Sequence, residues 1–316
     1  GGTGLDSTGR GVYGLRVESV SQGPLTMRQG AISILGNIAP HGAVVLSSQL
    51  GAQLSLTDST IAVEGTAQCG NDAIGVLLSS SPVRLERNAI TAGQASFACG
   101  IYLSGTAAEV YGNSIRVGYS NGVTPSCTSN GASDIAGGHA IDVSNTSSLR
   151  AIGNTFDPGG VTGQVGPTIG VGLNVGSSAV LSSNIILSGR GPDARLLSAG
   201  NSSSPTFTAA NITNNHFSNS YASAVSTREW LFDGGVVLNG GAGAGNTFGG
   251  TTTCFAAPGV LPDGGAGFPH FLAPGSACTD KGVIGTRTDA TAVTLDLFSR
   301  PRDGGAGPDI GAVEGP

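Results

Sequence analysis

Charge is scarce in this chain, and one kind is almost missing. Only 11% of its 316 residues are charged, and Lys281 is the single lysine among 14 Lys and Arg residues. So few cations cannot line a phosphate-tracking surface, which makes nucleic acid a poor partner. No apolar run approaches the roughly 20 residues of a bilayer-spanning helix, so direct membrane insertion is not expected. The five cysteines, Cys69, Cys99, Cys127, Cys254 and Cys278, form no Cys-x-x-Cys or Cys-x-x-His pair. That argues against a zinc site, and no cofactor is expected. Helical periodicity is missing from almost every window. The chain opens on Gly1 rather than Met, which reads as a processed or trimmed start from which any export signal is already gone.

What is abundant is glycine, 54 residues, alongside an apolar fraction of 39%. Glycine at that level could mean a low-complexity disordered chain, but regular Val, Ile and Leu spacing lets this one bury surface against its ordering entropy. Glycine then serves tight corners. Scarce lysine, scattered cysteines and many Ser, Thr and Asn suggest an oxidising compartment. The best disulfide pair is Cys254 with Cys278, closing a Pro/Gly-rich loop. Cys69 with Cys99 is a second candidate, since each precedes a glycine at the start of a strand; Cys99 with Cys127 is nearly as good.

The dominant signal is a repeat. Asn37, Asp58, Asn88, Asn113, Asn154, Asn184, Asn215 and Asn246 sit between short apolar segments, as in Leu85-Glu-Arg-Asn88-Ala-Ile90 and Val110-Tyr-Gly-Asn113-Ser-Ile115. Their spacings are 21, 30, 25, 41, 30, 31 and 31. A loose period of this size, tolerant of insertions, marks stacked coils. A second element precedes most of these residues: alternating apolar stretches such as Ile101-Tyr-Leu and Ile141-Asp-Val, closed by Ser, Asn or Gly. A sandwich of short strands does not need one residue type at the same corner of every unit. A coil does, because equivalent positions stack about 4.8 Å apart. We therefore expect an all-β, single-stranded parallel β-helix of about 8–10 coils over residues 1–250, with an irregular Gly/Pro-rich tail over 251–316 packing on the last coils. The eight Asn/Asp residues form an inward-facing structural column, satisfied by amide-to-amide hydrogen bonds. Offsets −5, −3 and +2 from each anchor point inward: Val83, Leu85 and Ile90, then Ala108, Val110 and Ile115, then Leu149, Ala151 and Phe156. Offset −4 points outward and places Arg84, Glu109 and Arg150 in a cross-coil ladder of alternating sign.

On these residues the chain resembles the right-handed parallel β-helix proteins of the pectate-lyase-like superfamily, across about residues 10–250. The tail is similar to that of secreted bacterial β-helix proteins, through Leu272-Ala-Pro-Gly-Ser276, Asp280-Lys-Gly282, Arg300-Pro301 and Asp309-Ile-Gly-Ala-Val-Glu314. The resemblance implies export and a secreted or cell-surface location, without naming a reaction. Enzymes of this superfamily cleave polysaccharides. Lyases need positive charge or a cation at the substrate carboxylate and a basic residue; hydrolases need facing carboxylates. No Asp-rich cation cluster is present. The Asn-Thr-Asp, Asp-Asp, Gly-His-Gly and Arg-Ile-Lys motifs of polygalacturonases are not intact either, the nearest fragment being Gly137-Gly-His139-Ala-Ile-Asp142.

Asp134, His139 and Asp142 nevertheless make the best local cluster of titratable groups and are the candidate catalytic residues. Tyr102 of the preceding coil, beside Asp142, completes a patch that could hold a sugar. The competing reading is an ordinary solvated face next to an insertion, 120–138. His41, His216 and His270 read as isolated hydrogen-bonders, and Trp230 as buried against the last coils. Two function classes follow. The favoured one is a non-catalytic extracellular or surface solenoid with a structural, adhesive or assembly role, binding polysaccharide or other surface components or associating end to end. The alternative is a polysaccharide lyase or glycoside hydrolase.

Overall fold

The computed structural model describes residues 15–17, 24–35, 44–47, 53–64, 72–80, 82–93, 97–119, 128–129, 132–133, 138–159, 168–174, 176–189, 194–199, 209–219, 231–233, 236–238, 245–250, 254, 272, 275–302 and 307–313. It is a parallel β-solenoid. Among the described residues, three sheets of nine, seven and eight strands run its length, and successive coils contribute one strand to each. In one coil these are Asp72–Ser79, Val83–Glu86 and Ala89–Gly93; in the next, Phe97–Ser104, Ala107–Tyr111 and Ser114–Tyr119. Cross-coil pairing keeps equivalent residues in register, as in Leu85 with Val110 and Ile90 with Ile115.

The register follows from alternation. Side chains of a strand point to opposite faces in turn, and a one-residue slip would turn the apolar set outward. All nine inward positions expected from the sequence are buried, from Val83, Leu85 and Ile90 to Leu149, Ala151 and Phe156. They belong to one continuous core that runs through the coils.

The corner between the second and third sheets turns through a left-handed residue in every coil. Gln29, Asp58, Arg87, Gly112, Gly153, Ser183, Asn214 and Gly245 all have positive φ. The next residue points inward and forms the column. Asn88, Asn113, Asn154, Asn184 and Asn215 are fully buried there. Each backbone N–H donates to the side-chain oxygen of the following member, 2.8 Å for Asn88 to Asn113 and 2.9 Å for Asn154 to Asn184. Each amide Nδ2 donates to that same oxygen and to a carbonyl of the coil before. Asn154 thus reaches Asn184 Oδ1 at 2.9 Å and Val110 O at 2.8 Å. Two donors and two accepted bonds use the amide fully, which is why it can be buried.

The first members differ from the sequence expectation. Asp58 is not in the column: it occupies the left-handed corner, and Ser59 takes the inward place, its N–H 3.0 Å from Asn88 Oδ1. One coil earlier the place belongs to Gly30, whose N–H donates to Ser59 Oγ. Asn37 lies outside the described residues. The steps into Ser59 and Asn88 are then both 29 residues, which removes the aberrant interval of 21. Asp58 fits the corner because a short polar side chain tolerates positive φ, and its carboxylate grips Arg87 at the same corner of the next coil, at 2.6 and 3.0 Å. A second, shorter ladder at the corner between the first and second sheets is made of hydroxyls: Thr106 N–H to Ser147 Oγ and Ser147 N–H to Ser177 Oγ, both 3.2 Å.

Two further departures matter for function. The 41-residue interval between Asn113 and Asn154 contains a two-stranded antiparallel hairpin, Thr128–Ser129 with Ala132–Ser133, added outside the three sheets. At its far end the first sheet reverses: Leu231–Asp233 pairs in parallel with the strand Ala194–Ala199, and Val236–Leu238 folds back antiparallel on it.

The tail is not confined to the last coils. Its described residues run along the outside of the corner column. Val283 N–H donates to Ser183 Oγ (2.9 Å), and Arg150 donates twice to Thr286 O (2.9 and 2.8 Å). Thr288 bonds Glu109, and Asp289 pairs with Arg84 at 2.9 Å. The chain then returns, bridging Thr286 to Ala292 and Leu295 to Pro301 in antiparallel sense. Gly311 N–H reaches Ser183 O at 2.8 Å and Ala312 N–H reaches Thr155 Oγ1 at 3.2 Å. The outward ladder is therefore half made as expected. Arg84 meets Glu109 at 2.6 Å, while Arg150 turns to the tail.

Candidate functional site

His139 and Asp142 lie on the same strand, Gly138–Ser144, of the first sheet. Asp142 points out of the barrel between buried Ile141 and Val143, in register with Tyr102 on one side and Gly172 on the other. Yet it is only 4% exposed, so the face is not the solvated one the sequence suggested. A buried carboxylate needs donors, and this one has three: His139 Nδ1 at 2.9 Å, Ser144 Oγ at 2.7 Å and Asn174 Nδ2 at 2.9 Å. Burial alone would raise the Asp142 carboxyl. The His139 hydrogen bond and charge, with the Ser144 and Asn174 bonds, more than offset that and hold it below the ordinary carboxylate range.

The bond from Asp142 fixes the orientation of the His139 ring. Tyr102 is half-buried beside Asp142. Asp134, the third candidate, lies outside the described residues. The structure thus brings His139, Asp142 and Tyr102 together and adds Ser144 and Asn174, which sequence reasoning missed. Asn174 sits one coil further on, after a strand whose length had to be known first.

Four other carboxylates along the solenoid, Asp58, Glu86, Glu109 and Asp157, are engaged. Glu86 accepts from Arg87 (2.5 Å) and Arg287 (2.6 Å), Glu109 from Arg84, and Asp58 from Arg87. The Arg87 bond is the main reason the Asp58 carboxyl lies below its usual value. Asp157 is fully buried and accepts the Gly159 N–H at 2.8 Å. In the tail, Asp296 closes a turn by accepting from the Phe298 and Arg300 N–H groups and from the Arg300 guanidinium. Arg302, 1% exposed, donates to Gly311 O (2.9 Å) and Asp309 O (2.7 Å). The Arg and Asp residues of the tail pattern therefore hold the tail's own loops.

Cys254 and Cys278 are disulfide-bonded, with Cα atoms 5.3 Å apart, and pack with Ile185, Leu187, Leu272 and Ile310. Cys99 is buried, its Sγ 3.1 Å from Ile101 O. Cys69 and Cys127, its two proposed partners, lie outside the described residues, as do His41, Trp230 and His270. His216 is a hydrogen-bonder, with Nδ1 2.9 Å from Thr247 Oγ1, but it is not isolated. It is fully buried on the outer side of the third sheet, in register with Ile185 and Thr247, and burial lowers its pKa to about 4. Its ring lies against the disulfide: one nitrogen of His216 and the two Sγ atoms fall within 4.8 Å of one another.

No protein-family model matches this chain, and no curated protein matches it.

Proposed function

We propose that the protein is a non-catalytic solenoid of the extracytoplasmic space, with a structural or adhesive role and a surface that contacts polysaccharide or other surface components. The observation that carries this is how the carboxylates are used. Hydrolysis of a glycosidic bond needs two carboxyl groups facing each other across a gap of roughly 5–9.5 Å, one of them ready to give or take a proton. Asp58, Glu86, Glu109, Asp142 and Asp157 are each engaged with Arg, His or backbone donors, and Asp142 is held ionised by three donors. The Cys254–Cys278 disulfide supports an oxidising compartment. The tail pattern supports kinship with secreted bacterial β-helix proteins of the pectate-lyase-like superfamily. End-to-end growth is less favoured at the end of the first sheet formed by Leu231–Asp233, because the reversed strand Val236–Leu238 interrupts the parallel ladder that another copy would extend.

A second reading has one observation behind it: a carboxylate orients an imidazole at 2.9 Å beside a tyrosine, an arrangement able to position a base near a bound sugar. Turnover assays on acidic and neutral polysaccharides separate the two. The structural reading expects none, together with binding to a polysaccharide or surface fraction that survives Asp142→Ala. Turnover by the wild type that Asp142→Ala abolishes would replace it with the enzymatic one.

A further inference from the structure

We propose that His216, Cys254 and Cys278 form a buried site that takes one thiophilic transition-metal ion, of the Zn(II) or Cu(I) class, once the disulfide has been reduced. The three residues come from separate parts of the chain. His216 opens the strand His216–Asn219 of the third sheet; the cysteines belong to the tail that folds over it. All three are fully buried, and their ligand atoms lie within 4.8 Å of one another.

The imidazole is the observation that points to a ligand. Its Nδ1 is 2.9 Å from Thr247 Oγ1, on the next coil. Its Nε2 is buried and finds no hydrogen-bond partner among the described residues. A buried polar nitrogen left without a partner is costly, and burial favours the neutral ring. With Nδ1–H donating to Thr247, the Nε2 lone pair is the one a metal needs. A hydrogen bond from the other ring nitrogen is the usual way a ligating histidine is oriented.

The surroundings suit a soft ion. Ile185, Leu187, Leu272 and Ile310 pack around the two sulfurs and exclude water, and hard cations that keep their hydration shell are excluded with it. Two sulfurs sharing a tetrahedral ion stand about 3.8 Å apart, from metal–sulfur distances of roughly 2.3 Å. The cysteine Cα atoms, 5.3 Å apart, can accommodate that separation by rotation of their side chains.

The chemistry balances with a thiol reductant as electron donor. The S–S bond accepts two electrons and two protons to give two thiols, and the reductant becomes its own disulfide. The ion then binds both sulfurs as thiolates, releasing two protons, and His216 Nε2 completes a three-residue set. Disulfide and metal are mutually exclusive, so Cys254 and Cys278 lock the tail covalently under oxidising conditions and, with His216, hold it through a metal under reducing ones.

The test uses the full chain, reduced with a phosphine and titrated with Co(II) as a spectroscopic stand-in for zinc. The expected result is one cobalt per chain, a thiolate-to-cobalt charge-transfer absorption in the near ultraviolet, and no binding by the oxidised protein. His216→Asn should weaken binding at least tenfold. Should that variant fail to fold, X-ray absorption on the cobalt-loaded wild type decides, with two sulfur scatterers and a histidine nitrogen expected. A reduced, folded wild type that binds no cobalt overturns the proposal. So does binding that His216→Asn leaves unchanged, or a first shell lacking histidine nitrogen.

Discussion

The corner between the second and third sheets is held from two sides, and the two sides differ in kind. Inside, the column from Ser59 to Asn246 repeats one arrangement, each amide satisfying its neighbours on both coils. Outside, the tail touches the same corner through contacts that occur once each: Val283 on Ser183, Arg302 against Gly153, Leu295 beside Gly112. Where the tail lies, the left-handed corner residues are Gly112, Gly153 and Ser183. At Gln29, Asp58, Arg87 and Asn214 they are larger, and the remaining one, Gly245, meets Asn214 rather than the tail. A Cβ at Gly153 would come within 2.8 Å of the Arg302 guanidinium, so the small residue serves both the positive φ and the close approach. Repetition makes the inner ladder cooperative with the whole solenoid, while single contacts leave the strap free to open by itself.

Perturbing the ladder should have the largest effect. Asn154→Ala would strip partners from the buried Asn113 N–H and Nδ2 and from Val110 O. At about 1–3 kcal/mol for each orphaned group, urea titration should show a loss of about 3–5 kcal/mol across the entire solenoid. Cutting the strap should cost less and act locally. Replacing Cys254 and Cys278 by serine frees a 24-residue separation, worth about 3 kcal/mol by chain entropy, and limited proteolysis should then cleave the tail while the far-ultraviolet circular dichroism of the coils persists. Arg302→Met, which leaves the Gly311 and Asp309 carbonyls without their guanidinium, should loosen the same segment by about 2 kcal/mol, read by the same proteolysis. Loss of the coils together with the tail in either variant would erase the distinction between the two sides.

The smallest effect at neutral pH belongs to Asp142. Its carboxyl is depressed in the folded state, so the unfolded chain takes up a proton first as pH falls. The stabilisation is fully present above the ordinary carboxylate pKa of about 4 and is lost below it. Asp142→Asn should flatten the fall in melting temperature below about pH 4 and leave the profile above pH 5 parallel to wild type.

The contrast also explains what could be read from the chain. Coils, core positions and the five buried Asn members were legible because repetition writes the same physical demand many times. Asp58 misled because the first two coils fill the inward place with Gly30 and Ser59, breaking the letter of the repeat while keeping its register. Cys254 with Cys278 was legible as the closure of one loop. The course of the strap was not, since each contact occurs once and joins residues far apart, as with Thr286 and Arg150. His216 was missed for the same reason: nothing in its neighbourhood along the chain announces the two cysteines it meets in space. Of the partners of Asp142 only His139 was visible; Ser144, on the same strand, and Asn174, a coil away, were not.

Native-state hydrogen exchange tests the two-sided account most directly. The backbone N–H groups of Asn88, Asn113, Asn154, Asn184 and Asn215 all donate to side-chain oxygens of the ladder. These five are expected to exchange together, by global unfolding only, while the N–H groups of Val283, Ile310 and Ala312 exchange earlier through a separate opening of the tail. Ladder amides that exchange as fast as those of the strap would contradict it.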